Sequence, residues 1–284
     1  MSTDPTLPEG SVVEARLAFL KPDKRYDNER PYFIVGRPPP GIKQSNIEYV
    51  HCKTRIHDAR NLKNDFSLCT NGFEWLTHEL YNDVASKNDI DRYMDEMAEV
   101  ARKHLGASRV HVYDFVVRRS VRYARDVDQP RPEGVDQATL RANCKVHTDI
   151  APNFGVERLK QLFPDQWEHL IKKKFKIIGI WRPLAEPVQT HPLALCDFQS
   201  LDKGDQTIND LVYPHAQVET TLSYFNPSQR WWFLDRQMKN EVLIMQAFDS
   251  ESPVQCLHAA FEDPRSRSKD ARRQSIELRC FAFF

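Results

Sequence analysis

The chain has 284 residues, and its 40 Lys or Arg are balanced by 40 Asp or Glu. Because it has no net charge to attract nucleic acid or an anionic membrane, neither partner is expected. Its opening residues lack a basic segment followed by a long apolar one, and no later window approaches eighteen consecutive apolar residues, which predicts a soluble, cytoplasmic protein. The six cysteines contain no Cys-x-x-Cys pair, which excludes a zinc ribbon and fits reduced thiols.

The first segment, residues 1–48, is expected to be irregular and rich in proline, and to pack on the main body. Two short strands are predicted in it, at 14–20 and 32–35. The run Pro38-Pro39-Pro40 blocks regular structure between the second strand and the rest of the chain.

A pair of helices is predicted next. Phe73, Leu76 and Leu80 recur at helical spacing and suggest the first helix. The second is predicted at 88–105, where an apolar stripe repeats with the helical period and Asn88 is positioned to cap the first turn.

From Arg109 the sequence becomes alternating and β-branched, which predicts a β-rich region. A polar loop is expected at 125–137, and a helical insertion at 156–173 interrupts the strands. Further strands are predicted at 143–149, 175–183, 193–199, 219–226, 230–235, 241–250 and 275–284.

Short strands separated by turn signals are typical of a double-stranded β-helix, the jelly-roll or cupin-type barrel, with flanking helices. We therefore expect one domain over 1–284, in which 1–107 form an N-terminal extension with supporting helices and 108–284 form the barrel core.

The triplet His147-Thr148-Asp149 is the first candidate for chemistry. In a strand, His147 and Asp149 point to the same side, so one strand can supply two metal ligands. His258, from a later strand region, would complete a 2-His-1-carboxylate facial triad, which holds Fe(II) and leaves the opposite positions open. One His-x-Asp triplet arises readily by chance, so the hypothesis depends on its conjunction with the residues downstream of His258.

Two arginines come after His258 and suggest a co-substrate. Arg273 opens the last predicted strand, where a bidentate guanidinium is well suited to a buried carboxylate such as the distal group of 2-oxoglutarate. Ser275 lies on the same face and can add a hydroxyl donor. Arg279 shares that face and would reach the other carboxylate of the co-substrate near the iron. The alternative is that both arginines lie on the surface of an edge strand.

Other interpretations remain open at this point. His147 and Asp149 can form an ordinary pair at a strand end, with His258 a core histidine. The rival third ligands are His169, His191 and His215, of which His215 ranks second after His258. Lys145 shares the face of His147 and is expected to extend to solvent rather than into a pocket.

Several segments, in order and spacing, resemble one known family. They are FKIIGIWRPL, HPLALCDFQSLD, LSYFNPSQRWWFL, EVLIMQAFDS, CLHAAFEDP and RRQSIELR, with LAFLKPDKRYDNERPYFI and HVYDFVVRRS nearer the N-terminus. The chain resembles the fungal gibberellin-desaturase-like or CmcJ-like Fe(II)/2-oxoglutarate-dependent oxygenases. The resemblance implies that His147, Asp149 and His258 match the iron ligands of the family, and that Arg273 and Arg279 match its RxSIExR segment.

The resemblance also implies a dioxygenase of fungal secondary metabolism with Fe(II), 2-oxoglutarate and O2. It would oxidise an unactivated C–H bond of a small molecule by hydroxylation, desaturation or ring closure, including aziridine formation on an amino acid. The alternatives are a cupin-like Zn(II) or Mn(II) metallohydrolase or isomerase, which needs a general base and no keto acid, and a non-catalytic small-molecule-binding barrel. A homodimer is left open.

Overall fold

Two β-sheets dominate the structure. It is a computed structural model that describes residues 12–80, 84, 86–119, 139–140, 142–266 and 273–284. The helices in this part of the chain are α1 (Lys87–Leu105), α2 (Gly155–Leu162) and α3 (Trp167–Leu170). The strands are β1 (Val12–Leu20), β2 (Tyr32–Ile34), β3 (Tyr49–Asp58), β4 (Phe73–Thr77), β5 (Arg109–Arg119), β6 (Thr139–Leu140), β7 (His147–Thr148), β8 (Phe175–Pro183), β9 (Leu193–Cys196), β10 (Gln206–Val212), β11 (Gln217–Ser223), β12 (Trp231–Phe233), β13 (Glu241–Asp249), β14 (Leu257–Ala260) and β15 (Gln274–Phe283).

The larger sheet has nine strands in the order β1-β3-β12-β9-β14-β7-β11-β10-β2, and the smaller has six in the order β4-β13-β8-β15-β5-β6. Most neighbours are antiparallel, and neighbours in space are rarely neighbours in sequence. The two sheets share a core in which Leu195 and Trp232 of the larger sheet pack with Trp181 and Met245 of the smaller. The N-terminal strands β1 to β3 belong to the larger sheet rather than lying outside it.

Strands β8 and β13 of the smaller sheet are buried on both faces, which explains why their sequences are mostly apolar. Every residue of β8 is buried. On one face, Ile178 and Ile180 pack in a cluster with Met97 and Ala101 of α1. On the other, Trp181 faces the shared core between the sheets. The predicted strand 175–183 is confirmed residue for residue.

The predicted helix at 88–105 is confirmed as α1, but its cap is Ser86 rather than Asn88. The Ser86 hydroxyl accepts a hydrogen bond from the Asp89 amide, and the Asp89 carboxylate accepts one from the Ser86 amide, which forms a capping box. Gly106 ends the helix with φ of 67°, in the left-handed region that glycine adopts without strain.

The helix predicted from Phe73, Leu76 and Leu80 is wrong. Residues 73–77 form β4, in which the buried Phe73 and Trp75 alternate with partly exposed neighbours and pair with β13. The bulky alternating side chains favour the strand, because they pack into the core between the sheets. The insertion predicted at 156–173 is confirmed as α2 and α3.

Other differences between prediction and structure concern the length and number of the strands. The extended run predicted at 143–149 shortens to β7, and the sequence interpretation does not include β3, β10 and β14 as strands. The predicted polar loop at 125–137 lies outside the described residues. In the part of the chain that the structure describes, no helix is long and apolar enough to cross a membrane.

Candidate metal centre

Three strands bring the predicted metal ligands together. His147 of β7 lies directly opposite His258 of β14, and on its other side β7 pairs with β11. The imidazole ring centroids are 4.4 Å apart. His147 Nε2 lies 3.8 Å from Asp149 Oδ1, and His258 Nε2 lies 4.0 Å from Asp149 Oδ2. The cross-strand register therefore gathers residues from distant parts of the sequence around one point.

Hydrogen bonds orient both imidazoles. His147 Nδ1 donates to the Lys145 carbonyl at 2.8 Å, and His258 Nδ1 donates to the Cys256 carbonyl at 3.2 Å. Each ring thereby presents Nε2, with its lone pair, towards Asp149. Asn143 Nδ2 lies 3.2 Å from His147 Nε2 and makes a further contact there.

The donor set suits a divalent transition-metal ion. One ligand atom from each of His147, Asp149 and His258 lies within 4.8 Å of the other two. Metal–nitrogen and metal–oxygen bonds of about 2.0–2.2 Å require a modest contraction of this triangle. Burial, followed by the neighbouring His258, lowers the pKa of His147 to about 3, so its imidazole is neutral and able to bind metal at physiological pH.

Arg279 organises the carboxylates beside this centre. Its Nη1 lies 2.9 Å from Asp114 Oδ2, its Nη2 lies 3.6 Å from Asp149 Oδ1, and its Nε lies 3.5 Å from Glu277 Oε1. Burial opposes ionisation of Asp149, but Arg279 and the two histidines outweigh it and hold the pKa of Asp149 below its usual range. The Asp149 carboxylate is therefore ionised.

Arg273 directly precedes β15 and Ser275 lies within it, on the strand that carries Arg279. Arg273 is 5% exposed; its Nε donates to Ser275 Oγ at 3.3 Å and its Nη1 donates to the His191 carbonyl at 2.8 Å. The guanidinium carbon lies 5.2 Å from the centroid of the Trp181 ring. Burial lowers the pKa of Arg273 to about 9, because its charge is removed from water. An anion bound at this guanidinium would offset that desolvation.

A cavity of about 580 Å³ opens at the metal centre, and His147, Asp149 and Arg279 line it. Its wall also includes Leu211 and Leu222 of the β10–β11 hairpin, and Leu222 is the strand neighbour of His147. Lys145, for which the sequence predicts extension to solvent rather than into a pocket, is exposed and also lines this cavity. A volume of this size is typical of small-molecule sites.

The rival histidines do not join the cluster formed by the described residues. His215 lines the cavity but is exposed, His169 lies in α3, and His191 contributes its carbonyl to Arg273. The sequence interpretation missed Asp114 and Glu277. Glu277 had a signal, because it lies between Ser275 and Arg279 on the same face of one strand. Asp114 had none, since its position opposite Arg279 depends on the pairing of β5 with β15.

Known proteins match nearly the whole chain. The family model described as an oxidoreductase/YMDC permease-like domain matches residues 17–283. The Fe(II)/2-oxoglutarate-dependent dioxygenase nvfI of Aspergillus novofumigatus (strain IBT 16806) is 28% identical over 95% of this chain and 96% of its own. The hydroxylase/desaturase efuI of Hormonema carpetanum is 25% identical over 86% of this chain and 87% of its own. The solved structure of the iron and alpha-ketoglutarate-dependent endoperoxidase NvfI superposes with a TM-score of 0.80 at 25% identity and covers 96% of this chain and 98% of that one.

Proposed function

This chain belongs to the oxidoreductase/YMDC permease-like family and is a relative of fungal Fe(II)/2-oxoglutarate-dependent dioxygenases, and from that premise we propose which of its residues carry the chemistry. The predicted resemblance and the predicted jelly-roll fold are both confirmed. The protein is an oxidoreductase that uses Fe(II), 2-oxoglutarate and O2, and it acts on a small molecule. Its relatives belong to fungal secondary metabolism.

We propose that His147, Asp149 and His258 bind the iron. The observation that carries the proposal is their convergence: two imidazole Nε2 atoms and an ionised carboxylate meet at the wall of the cavity. Neutral imidazole and carboxylate are the donors that non-haem Fe(II) sites use, and three of them on one side leave the other positions for co-substrate and O2.

We propose that 2-oxoglutarate binds between this centre and Arg273. The buried guanidinium would pair with the distal carboxylate, and Ser275 would donate its hydroxyl to the same group. Arg279 is held by three carboxylates, so it orients Asp149 as well as offering a positive charge to the keto-acid end of the co-substrate.

With iron, 2-oxoglutarate and O2 bound, the centre supplies the oxidant that attacks an unactivated C–H bond. The protein positions the substrate. The cavity wall around Leu211 and Leu222 holds one C–H bond of the substrate towards the metal side of His147 and excludes water from that bond. Hydroxylation, desaturation and ring closure are alternative outcomes of one centre, and the pose of the substrate selects among them.

We infer that residues 1–284 act as one oxygenase domain, since β1 and β3 continue the sheet that carries β7 and β14. A cytoplasmic location without a nucleic-acid or membrane partner remains our expectation from the composition. A homodimer stays open as an assembly.

The test uses purified protein supplied with Fe(II). We expect wild type to bind one iron and to convert 2-oxoglutarate to succinate. His147→Ala is expected to lose both properties, whereas His215→Ala removes an imidazole from the same cavity without removing a proposed ligand and should keep its iron. Full iron binding by His147→Ala would refute the metal assignment.

The anchor is tested separately. Arg273→Gln should weaken 2-oxoglutarate binding about 100-fold, because a charge-assisted bidentate interaction contributes on the order of 3 kcal/mol. An unchanged affinity would refute the anchor. Wild-type protein that binds Zn(II) or Mn(II) and hydrolyses or isomerises a compound without consuming 2-oxoglutarate would support the alternative metallohydrolase or isomerase.

A further inference from the structure

The proposed chemistry gives no role to the ammonium group of Lys145. Lys145 lies two residues before His147 and lines the same cavity. Its backbone forms an isolated parallel bridge to Ala18 of β1, which holds the segment before β7 against the N-terminal strands. The side chain therefore starts from a fixed point close to the metal centre.

Two aromatic rings flank the Lys145 ammonium. Its Nζ lies 5.0 Å from the centroid of the Tyr49 ring and 5.7 Å from that of Phe33, and both rings line the cavity. Cation–π contacts hold an ammonium group in place without neutralising it. The position of the charge is thus defined by the ring faces, and the charge itself is still available to a ligand.

No carboxylate among the described residues forms an ion pair with Lys145. Some other lysines are paired, such as Lys53 with Glu14 and the buried Lys176 with Asp249 at 2.9 Å. Lys145 differs from these paired lysines because it faces a cavity.

The cavity as a whole carries more positive than negative side chains. Its carboxylates, Asp114 and Asp149, both contact Arg279. Lys145, Arg118 and Arg158 add three further positive charges, and Arg158 forms no ion pair with a described carboxylate. Bound Fe(II) and the 2-oxoglutarate dianion would cancel each other, so an anionic group on a third molecule is favoured electrostatically.

Building on the proposed function, we propose that the substrate is a carboxylic acid whose carboxylate pairs with Lys145. The acid group would lie at the end of the cavity walled by Phe33 and Tyr49, and the remainder of the molecule would extend along Leu222. Because Leu222 is the strand neighbour of His147, this orientation brings the substrate carbon chain to the metal centre. Lys145 is then a specificity-determining residue.

The same ammonium group could instead bind a carboxylate of 2-oxoglutarate, so the experiment separates the two anions. Protein loaded with Mn(II), which does not support turnover, is titrated first with 2-oxoglutarate by calorimetry. It is then saturated with 2-oxoglutarate and titrated with three matched pairs of acid and amide: 4-phenylbutanoate, indole-3-propionate and N-acetylleucine, each against its primary amide. Broadening of the ligand proton resonances by Mn(II) reports binding beside the metal.

We expect at least one acid to bind wild type about tenfold more tightly than its amide, as expected for one charge-assisted hydrogen bond at a partly exposed site. Added salt should reduce this preference. Lys145→Gln should bind acid and amide equally, and Lys145→Arg should retain the preference. Lys203→Gln, which removes an exposed lysine that does not line the cavity, is the matched control and should behave as wild type.

Three results would overturn the inference. They are a wild type that binds no acid better than its amide, a Lys145→Gln variant that keeps the preference, and a Lys145→Gln variant whose affinity for 2-oxoglutarate falls as much as its affinity for the acid. A wild type that binds Mn(II) but not 2-oxoglutarate would refute the proposed function instead, so the two failures are distinguishable.

Discussion

Replacing Arg279 by glutamine should destabilise the metal-free protein and make its stability depend on metal. Arg279 lies within 3.6 Å of oxygen atoms of Asp149, Glu277 and Asp114. The Asp149 and Glu277 side chains are only 13% and 7% exposed, whereas that of Asp114 is 43% exposed and well screened by solvent. Arg279→Gln therefore leaves two buried carboxylates without their guanidinium.

The magnitude is set by the distances. With an effective dielectric constant of about 20, unit charges separated by the 3.6 Å between Arg279 and Asp149 attract by roughly 4.6 kcal/mol. The desolvation of the guanidinium offsets part of this gain, and loss of one partner from a buried ion pair costs about 3–5 kcal/mol. At roughly 2–4 °C per kcal/mol, the midpoint of thermal unfolding should fall by about 6–20 °C.

Thermal unfolding of protein treated with EDTA, followed by circular dichroism with and without Mn(II), provides the measurement. A divalent cation beside Asp149 replaces the missing positive charge, so Mn(II) should raise the midpoint of Arg279→Gln by more than it raises that of wild type. Arg102→Gln, which breaks an exposed Arg–Glu pair on α1, is the control and should unfold with wild type. An Arg279→Gln protein that unfolds with wild type in EDTA, or gains no more from Mn(II), would refute the reasoning.

Two further predictions concern the scaffold. Gly155→Ala should lower the free energy of unfolding in urea by about 1–3 kcal/mol, because the added Cβ would overlap the ring of Phe248. Gly204→Ala, which places its Cβ in open space, should leave that free energy unchanged. Equal losses in the two variants would contradict this account. The hydrogen bond that His104 donates to the Glu74 carboxylate raises the pKa of His104, so the pair stabilises the fold fully below pH 6.5 and less as the pH rises through the raised value. The loss caused by His104→Gln, at most about 1 kcal/mol for this partly exposed pair, should therefore shrink in alkaline buffer, and a loss that grows with pH would be inconsistent with it.

Burial of both faces made one strand predictable in full. β8 is predicted to the residue because both of its faces are covered, which leaves a continuous apolar run. β10 escapes prediction because its sequence, QTINDLV, is mixed in polarity: only Asn209 is fully buried, and the strand lies beside the edge strand β2. The helix predicted from Phe73 to Leu80 is wrong because a short strand of bulky residues also satisfies helical spacing by coincidence.

The candidate site was predictable where one strand determines its geometry and unpredictable where pairing between distant strands does. His147 and Asp149, and likewise Arg273 and Ser275, share a face by the two-residue period of a strand. The rings of Phe33 and Tyr49 around Lys145 come from segments about a hundred positions earlier, so local spacing gave no indication of them.

Because β2 and β3 come early in the chain, the residues that shape the substrate end of the cavity are separated in sequence from those proposed to carry the chemistry. The rings that shape the far end of the cavity lie in the first fifty residues, whereas all of the proposed iron ligands and co-substrate contacts lie after residue 140. The early segment can therefore accumulate substitutions that redirect selectivity while the reactive apparatus stays intact. Replacing the first fifty residues by those of a relative should transfer the substrate preference of that relative to this scaffold. Evolution and protein engineers could both obtain new natural products by exchanging this segment.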